Sequence, residues 1–259
     1  MSANSEPLSD SNIGAPKRVS RSAKTSLYIA VLAGLLALLA GFGTRFGLWP
    51  FRIGFILMLV VLLGALVALV LALIGIISTR PGGSRSGFVP AIVGLIISLI
   101  VLFPPLNLTF NGLRLPPIHD ITTDTENPPA FVAILPLRQN ADNPTQYGGP
   151  EIAAQQQKAY PDVRPGMMNV PPQQAYDRAL TAARDMGWEI VDANLNEGRI
   201  EATATTFWFG FKDDVIVRIT PAGNGSRIDV RSVSRVGTSD VGTNAKRIEK
   251  YLKKVSQSG

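Results

Sequence analysis

Phe211–Arg247, FKDDVIVRITPAGNGSRIDVRSVSRVGTSDVGTNAKR, is the stretch that decides how the water-facing half of this chain folds. Val215, Val217 and Ile219 recur at every second position of Asp213–Thr220, the period of a strand with one apolar face. Pro221–Ser226 supplies turn residues, and Arg227–Arg235 reads as the return strand, with Ile228 and Val230 on one face. If Asn224-Gly225 is a two-residue turn, Ile219 lies opposite Val230 and Val217 opposite Ser232. The other face then sets Asp214 against Arg235, a favourable pair, and Arg218 against Arg231, a like-charge pair that needs an anion or Asp229. Asp213 and Asp214 are adjacent on a strand and point to opposite faces, so they cannot form one acid–base pair.

Outward from this hairpin the chain alternates elements of short connection. Before it, Pro172 suits a first helical turn, Tyr176, Ala179, Leu180, Ala183 and Met186 recur at helical spacing, and Gly187 is placed as the cap. Trp188–Ala193 and Arg199–Phe207 read as strands, and their tight connections imply antiparallel hairpins. After it, a helix from about Asp240 to Val255 buries Ile248, Tyr251, Leu252 and Val255, with Lys250, Lys253 and Lys254 in its last turns, favourable to the helix dipole. The predicted domain, 171–259, is α+β in the order αββββα: a four-stranded antiparallel sheet with two helices on one face. Residues 109–170 read as a Pro-rich linker partly packed on that domain, with Phe131–Leu137 as an edge strand and a helical turn at Gln155–Tyr160.

The first half is of another kind. Mean hydropathy is +0.20 over the whole chain, but the apolar residues concentrate before Phe110. Three charge-free runs, at about 26–42, 53–77 and 88–103, predict a membrane domain over 25–108, behind a disordered basic tail at 1–24. The first run lacks a small-x-small cleavage site and is followed at once by two more, which argues against a signal peptide. Lys17, Arg18, Arg21, Lys24, Arg80 and Arg85 fall on one side, and Arg45, Arg52 and Arg114 on the other. That balance predicts a cytoplasmic amino terminus and a domain outside the cytoplasm: a multi-pass protein of the inner membrane with a periplasmic C-terminal domain.

Charge excludes one function class. The net +6 arises up to Arg114, where nine basic residues face Glu6 and Asp10; from Leu115 onward sixteen basic residues face seventeen acidic ones. Basic residues flanking spans do not make a nucleic-acid surface, and no nucleic-acid partner is expected. The absence of cysteine removes thiolate chemistry, and one histidine, His119, cannot supply a multi-histidine metal site. No catalytic residues, metal or cofactor are expected. A calcium site from Asp213, Asp214 and Asp240 lacks the loop spacing.

The candidate binding residues are Asp213, Asp214, Arg231, Ser232, Ser234, Arg235, Asp240, Asn244 and Arg247. Two readings compete for them: a salt-bridged sheet face, or Arg231 and Arg235 binding a carboxylate or phosphate beside the free N–H groups that open the last helix. Asp240 opposes the second by occupying those donors as a cap. Phe207-Trp208-Phe209-Gly210-Phe211 adds aromatic rings for a core, the bilayer or a partner.

At Phe211-x-Asp213-Asp214, Arg231-Ser232-x-Ser234-Arg235-x-Gly237-x-Ser239-Asp240-x-Gly242-x-Asn244 and Arg247-Ile248, the sequence resembles the bacterial domain-of-unknown-function family 1499 (DUF1499), over roughly Asn127–Val255. The membrane part lies outside the resemblance. Many members begin with a cysteine-containing segment that is absent here, around Asn127-Pro128-Pro129. The resemblance implies a small envelope-associated domain without an established activity, and groups Asp213, Asp214, Arg231, Arg235, Asp240, Asn244 and Arg247 in one cluster. The expectation is an inner-membrane anchored domain that binds or scaffolds an envelope component, with the lipid bilayer and an envelope protein, lipid or anionic ligand as partners. The alternatives are an envelope hydrolase using Asp213 or Asp214 as acid or base, and a structural membrane subunit that docks a partner protein through exposed Phe209 and Phe211.

Overall fold

A computed structural model describes residues 17–257; the expected tail lies outside the described residues up to position 16. The chain divides into two compact units, Met1–Ala37 with Ile56–Phe103, and Leu38–Phe55 with Pro104–Gly259.

The first unit takes the larger part of each of α1 (Arg21–Arg45), α2 (Phe51–Thr79) and α3 (Phe88–Gly112), helices long and apolar enough to cross a membrane. Alanines at 23, 30, 65, 68, 72 and 91 have no exposed surface, the small-residue packing that lets membrane helices approach closely. Ahead of α1, the Ser20 N–H donates to the Ser86 carbonyl and the Ser86 N–H to that of Arg18. The third helix exceeds the apolar run that predicts it. It continues through Pro104 and Pro105 to Gly112, because each proline forfeits only one ladder bond near the end of a helix. Its last turns gain a bond from Thr109 Oγ1 to the Pro105 carbonyl.

The second unit holds an α+β domain together with Leu38–Phe55. Its sheet has six strands rather than four, in the order β1-β6-β5-β4-β3, with β2 also on β6. Their ranges are β1 Asp120–Thr122, β2 Gly166–Met168, β3 Glu189–Asn194, β4 Arg199–Thr205, β5 Lys212–Ala222 and β6 Gly225–Ser234. All pairings are antiparallel. The two added strands have three residues each and lie one after the other along the outer edge of β6, β2 on Ser226–Ile228 and β1 on Arg231–Val233. Both come from the Pro-rich stretch, which also folds α4 (Gly149–Ala159).

Helices α5 (Pro172–Asp185) and α6 (Thr243–Gln257) bury Ala175, Ala179, Ala183, Ile248, Tyr251 and Val255 in one core with Ile200, Val215, Val217, Ile219, Ile228 and Val230. Each buried Ile or Val is worth roughly 1.5–3 kcal/mol of transfer free energy. Tyr251 ties the layers together: its hydroxyl donates to the Ala179 carbonyl at 2.9 Å and its ring stacks on Trp188 at 4.8 Å.

Phe131–Leu137 is not an edge strand. It makes a turn and a 3-10 helix, Leu135–Arg138, laid across the opposite sheet face, where Phe131 and Ile134 pack on Ile216 and Val233. Its backbone donors are taken by a side chain instead of a ladder. The N–H groups of Val132, Ala133 and Ile134 all donate to the Glu201 carboxylate, at 2.9, 3.1 and 2.9 Å.

The β5–β6 register also departs from expectation, by two residues. The turn is Gly223-Asn224, with Ala222 opposite Gly225, so Ile219 faces Ile228 and Val217 faces Val230. Gly223 carries the positive φ, +55°, which favours glycine at the first central position of a two-residue turn. A shift of two preserves which side chains share a face and changes every partner.

Candidate functional site

The candidate residues separate onto the two faces of the sheet. Asp213, Ser232 and Ser234 lie on the side of α6; Asp214, Arg231 and Arg235 lie on the side covered by the 131–138 segment. The expected single cluster is two clusters, because adjacent strand residues alternate in direction.

On the α6 side, the Arg247 guanidinium holds Asp213 at 2.5 Å and donates to Ser232 Oγ at 3.1 Å and to Asn244 Oδ1. Ser232 Oγ in turn donates to Asn244 Oδ1 at 2.7 Å. The Asn244 amide donates to Ser234 Oγ and to the His119 carbonyl, both at 3.0 Å. Asp240 caps the helix, accepting from the Gly242 N–H at 3.0 Å and the Asn244 N–H at 2.6 Å. Burial pushes the Asp240 carboxyl above its ordinary range; those two N–H donors and Arg247 oppose the shift, while nearby Asp213 reinforces it. Two of the donors at the helix start are therefore occupied by the chain's own carboxylate, as the objection to an anion site beside them requires.

On the other face Asp214 has no exposed surface. Its Oδ2 accepts from Arg138 Nη1 at 2.5 Å and Arg235 Nε at 2.9 Å; its Oδ1 accepts from Arg235 Nη2 and Thr203 Oγ1, both at 2.8 Å. Four donors fill the acceptor sites of one carboxylate. Arg231 is 3% exposed and grips Asp120 bidentately, at 2.9 and 2.7 Å. It also donates to the Pro129 and Thr145 carbonyls, with its guanidinium over the rings of Phe131 and Tyr147. The like-charge Arg218–Arg231 pair does not occur. In the shifted register Arg218 faces Asp229 and bonds it and Asp124 at 3.0 Å, and Arg227 joins the same two acids.

Neither Asp213, 4% exposed, nor Asp214 presents a carboxylate to a cleft. Their opposite directions also prevent Asp213, Asp214 and Asp240 from converging on one ion. Of the aromatic cluster, Phe209 is buried and stacks on Phe211 at 5.5 Å, and both rings meet Phe55. The most exposed ring is Phe207, 78% accessible, while Phe211 is half-buried and Phe209 lacks the exposure that the docking alternative asks of it.

A model of the family described as "Protein of unknown function (DUF1499)" matches residues 120–255. The chain belongs to that family. Curated proteins give no match to it. The matched DUF1499 region begins at Asp120, earlier than the resemblance read from sequence, and so takes in β1 and the Asp120–Arg231 pair. Arg138, Glu201, Thr203, Asp120 and Asp124 complete the DUF1499 domain's polar networks, and sequence reasoning passes over all five. Arg138 closing an apolar run, and Glu201 alternating with Ile200 and Ala202, were the available signals.

A cavity of about 440 Å³ lies inside the second unit, walled by Trp49 and Phe51 from around the α1–α2 connection and by Phe209, Phe211, Lys212 and Arg235 of the DUF1499 domain, among others. It is the place where the Asp214 network reaches an open space, through Arg235.

Proposed function

We propose that the chain is a three-span protein of the inner membrane whose DUF1499 domain stands outside the cytoplasm, periplasmic in a Gram-negative cell, and binds or scaffolds an envelope component without catalysing a reaction. The observation that carries this reading is the saturation of the charged residues. Asp214 is closed off by Arg138, Arg235 and Thr203, and Arg231 by Asp120 and two carbonyls. These groups shape and hold a domain; a general acid or base must instead reach the substrate it serves. The orientation rests on the six basic residues on the amino-terminal side of the spans against three on the other.

Reporter fusions after Gly82 and at Gly259, active on one side of the membrane only, test the placement. The reading requires the Gly259 fusion to report outside and the Gly82 fusion inside. A cytoplasmic Gly259 overturns it and turns attention to soluble ligands of the cell interior.

A further inference from the structure

The cavity beside Arg235 has the chemistry of a headgroup site. Its wall contains four aromatic rings, Trp49, Phe51, Phe209 and Phe211, two cations, Lys212 and Arg235, and no carboxylate. Lys212 is exposed and makes no side-chain bond to an acid among the described residues. Arg235 shares the single Asp214 carboxylate with Arg138, so that trio carries one positive charge in excess. One N–H of Arg235 Nη1 remains after its bond to the Leu137 carbonyl. Electrostatically the wall asks for an anion.

Position says which anion. Phe51 is the first residue of α2 and Trp49 lies two residues before it, in the connection that follows α1. A helix of 29 residues is about 43 Å long and overreaches a hydrocarbon core of roughly 30 Å. Arg52 stands in its first turn, ahead of the charge-free run from Ile53, which sets that turn at headgroup level, the depth at which tryptophan and cationic side chains concentrate. The volume of about 440 Å³ falls within the roughly 300–1,000 Å³ of small-ligand sites.

We propose that this cavity receives the phosphate-bearing headgroup of an anionic phospholipid. Lys212 and the free Nη1 hydrogen of Arg235 meet the phosphate, and the rings of Phe51, Phe209 and Phe211 cover the glycerol and first acyl carbons. The proposal deepens the binding reading above and rests on it.

The test uses the full-length protein in detergent micelles, titrated with phosphatidylglycerol or phosphatidylcholine of the same acyl chains and followed by native mass spectrometry. One phosphatidylglycerol should bind at least about tenfold more tightly than phosphatidylcholine. Lys212→Gln should weaken that binding by about tenfold, while Lys253→Gln, on the exposed side of α6, leaves it unchanged. Because Lys212 is exposed, its variant is expected to keep the parent's circular-dichroism melt, so a loss of binding reports the site. Equal binding of the two lipids, or an unaffected Lys212→Gln, overturns the proposal. So does displacement of the lipid by millimolar sodium phosphate, which would make the ligand free phosphate. The fusion at Gly259 separates this from the reading it rests on. Lipid selectivity with a cytoplasmic Gly259 sinks the envelope placement alone, and no selectivity with an external Gly259 sinks the lipid site alone.

Discussion

Arg235 grips Asp214 with two nitrogens, at 2.9 and 2.8 Å, although the strand partner of Asp214 is Val233. The contact is diagonal, from the residue just past the end of β6, and Arg138 arrives from a different segment to share the same carboxylate. A buried carboxylate with two guanidiniums is stable only as a set. Asp214→Ala leaves Arg138, 7% exposed, without its partner, and removal of one member of a buried pair costs about 3–5 kcal/mol. Denaturant unfolding of the full-length chain in detergent should show that loss for Asp214→Ala. The exposed control Lys253→Ala should stay within about 0.5 kcal/mol of the parent.

Asp240 gives stability a pH dependence with a definite sign. Its carboxyl is raised by burial above the ordinary value of 3.8. A group whose folded pKa exceeds its unfolded one contributes fully below the unfolded value, and that contribution is lost as pH rises through the folded value. Asp240 therefore makes the chain progressively less stable upward from about pH 4. Asp240→Asn keeps a competent helix cap and removes the titration. Between pH 4 and 7 the melting temperature of the variant should gain on that of the parent; parallel curves would refute the assignment.

How much of this was legible can be argued from the hairpin. Alternation alone put Val215, Val217 and Ile219 against the helices and sent Asp213 and Asp214 to opposite sides, and the faces hold. The partners do not, because Gly223-Asn224 and Asn224-Gly225 are rival turns one step apart, and choosing between them moves the register by two. The short strands β1 and β2 carry too few residues for a periodic signal, and their place on β6 is fixed by distant chain. Phe131–Leu137 reads as a strand because it is apolar. What bends it into a turn is Glu201, some seventy residues later, and single-sequence patterning does not see such a partner. Apolarity did give the three helices long and apolar enough to cross a membrane, since that fitness is a property of each segment alone.

Gly41 has a packing role that can be exposed by a cycle of variants. Its Cα lies against the Trp208 indole within the second unit, and a Cβ there would overlap the ring. Gly41→Ala should destabilise the full chain by about 1–3 kcal/mol, the usual cost of overpacking. In a Trp208→Ala background the same substitution should cost little. Additive effects in denaturant unfolding would mean that the indole does not occupy that position.

Glu201 offers the sharpest local prediction. It is fully buried, and its two oxygens receive three successive backbone N–H groups, with Arg199 alongside. A glutamine in its place keeps the shape but exchanges one acceptor oxygen for a donor, so an N–H of the turn is left facing another N–H. Each buried group left unsatisfied costs about 1–3 kcal/mol. The loss should be local, because the 131–138 segment covers one face of the sheet and the helices hold the other. Hydrogen exchange on Glu201→Gln should thus quicken at Val132, Ala133 and Ile134 well before β5 and α6 respond. Uniform acceleration across the domain would instead make the turn an integral part of the fold's cooperative unit, and unchanged exchange would remove Glu201 as the group that bends this segment.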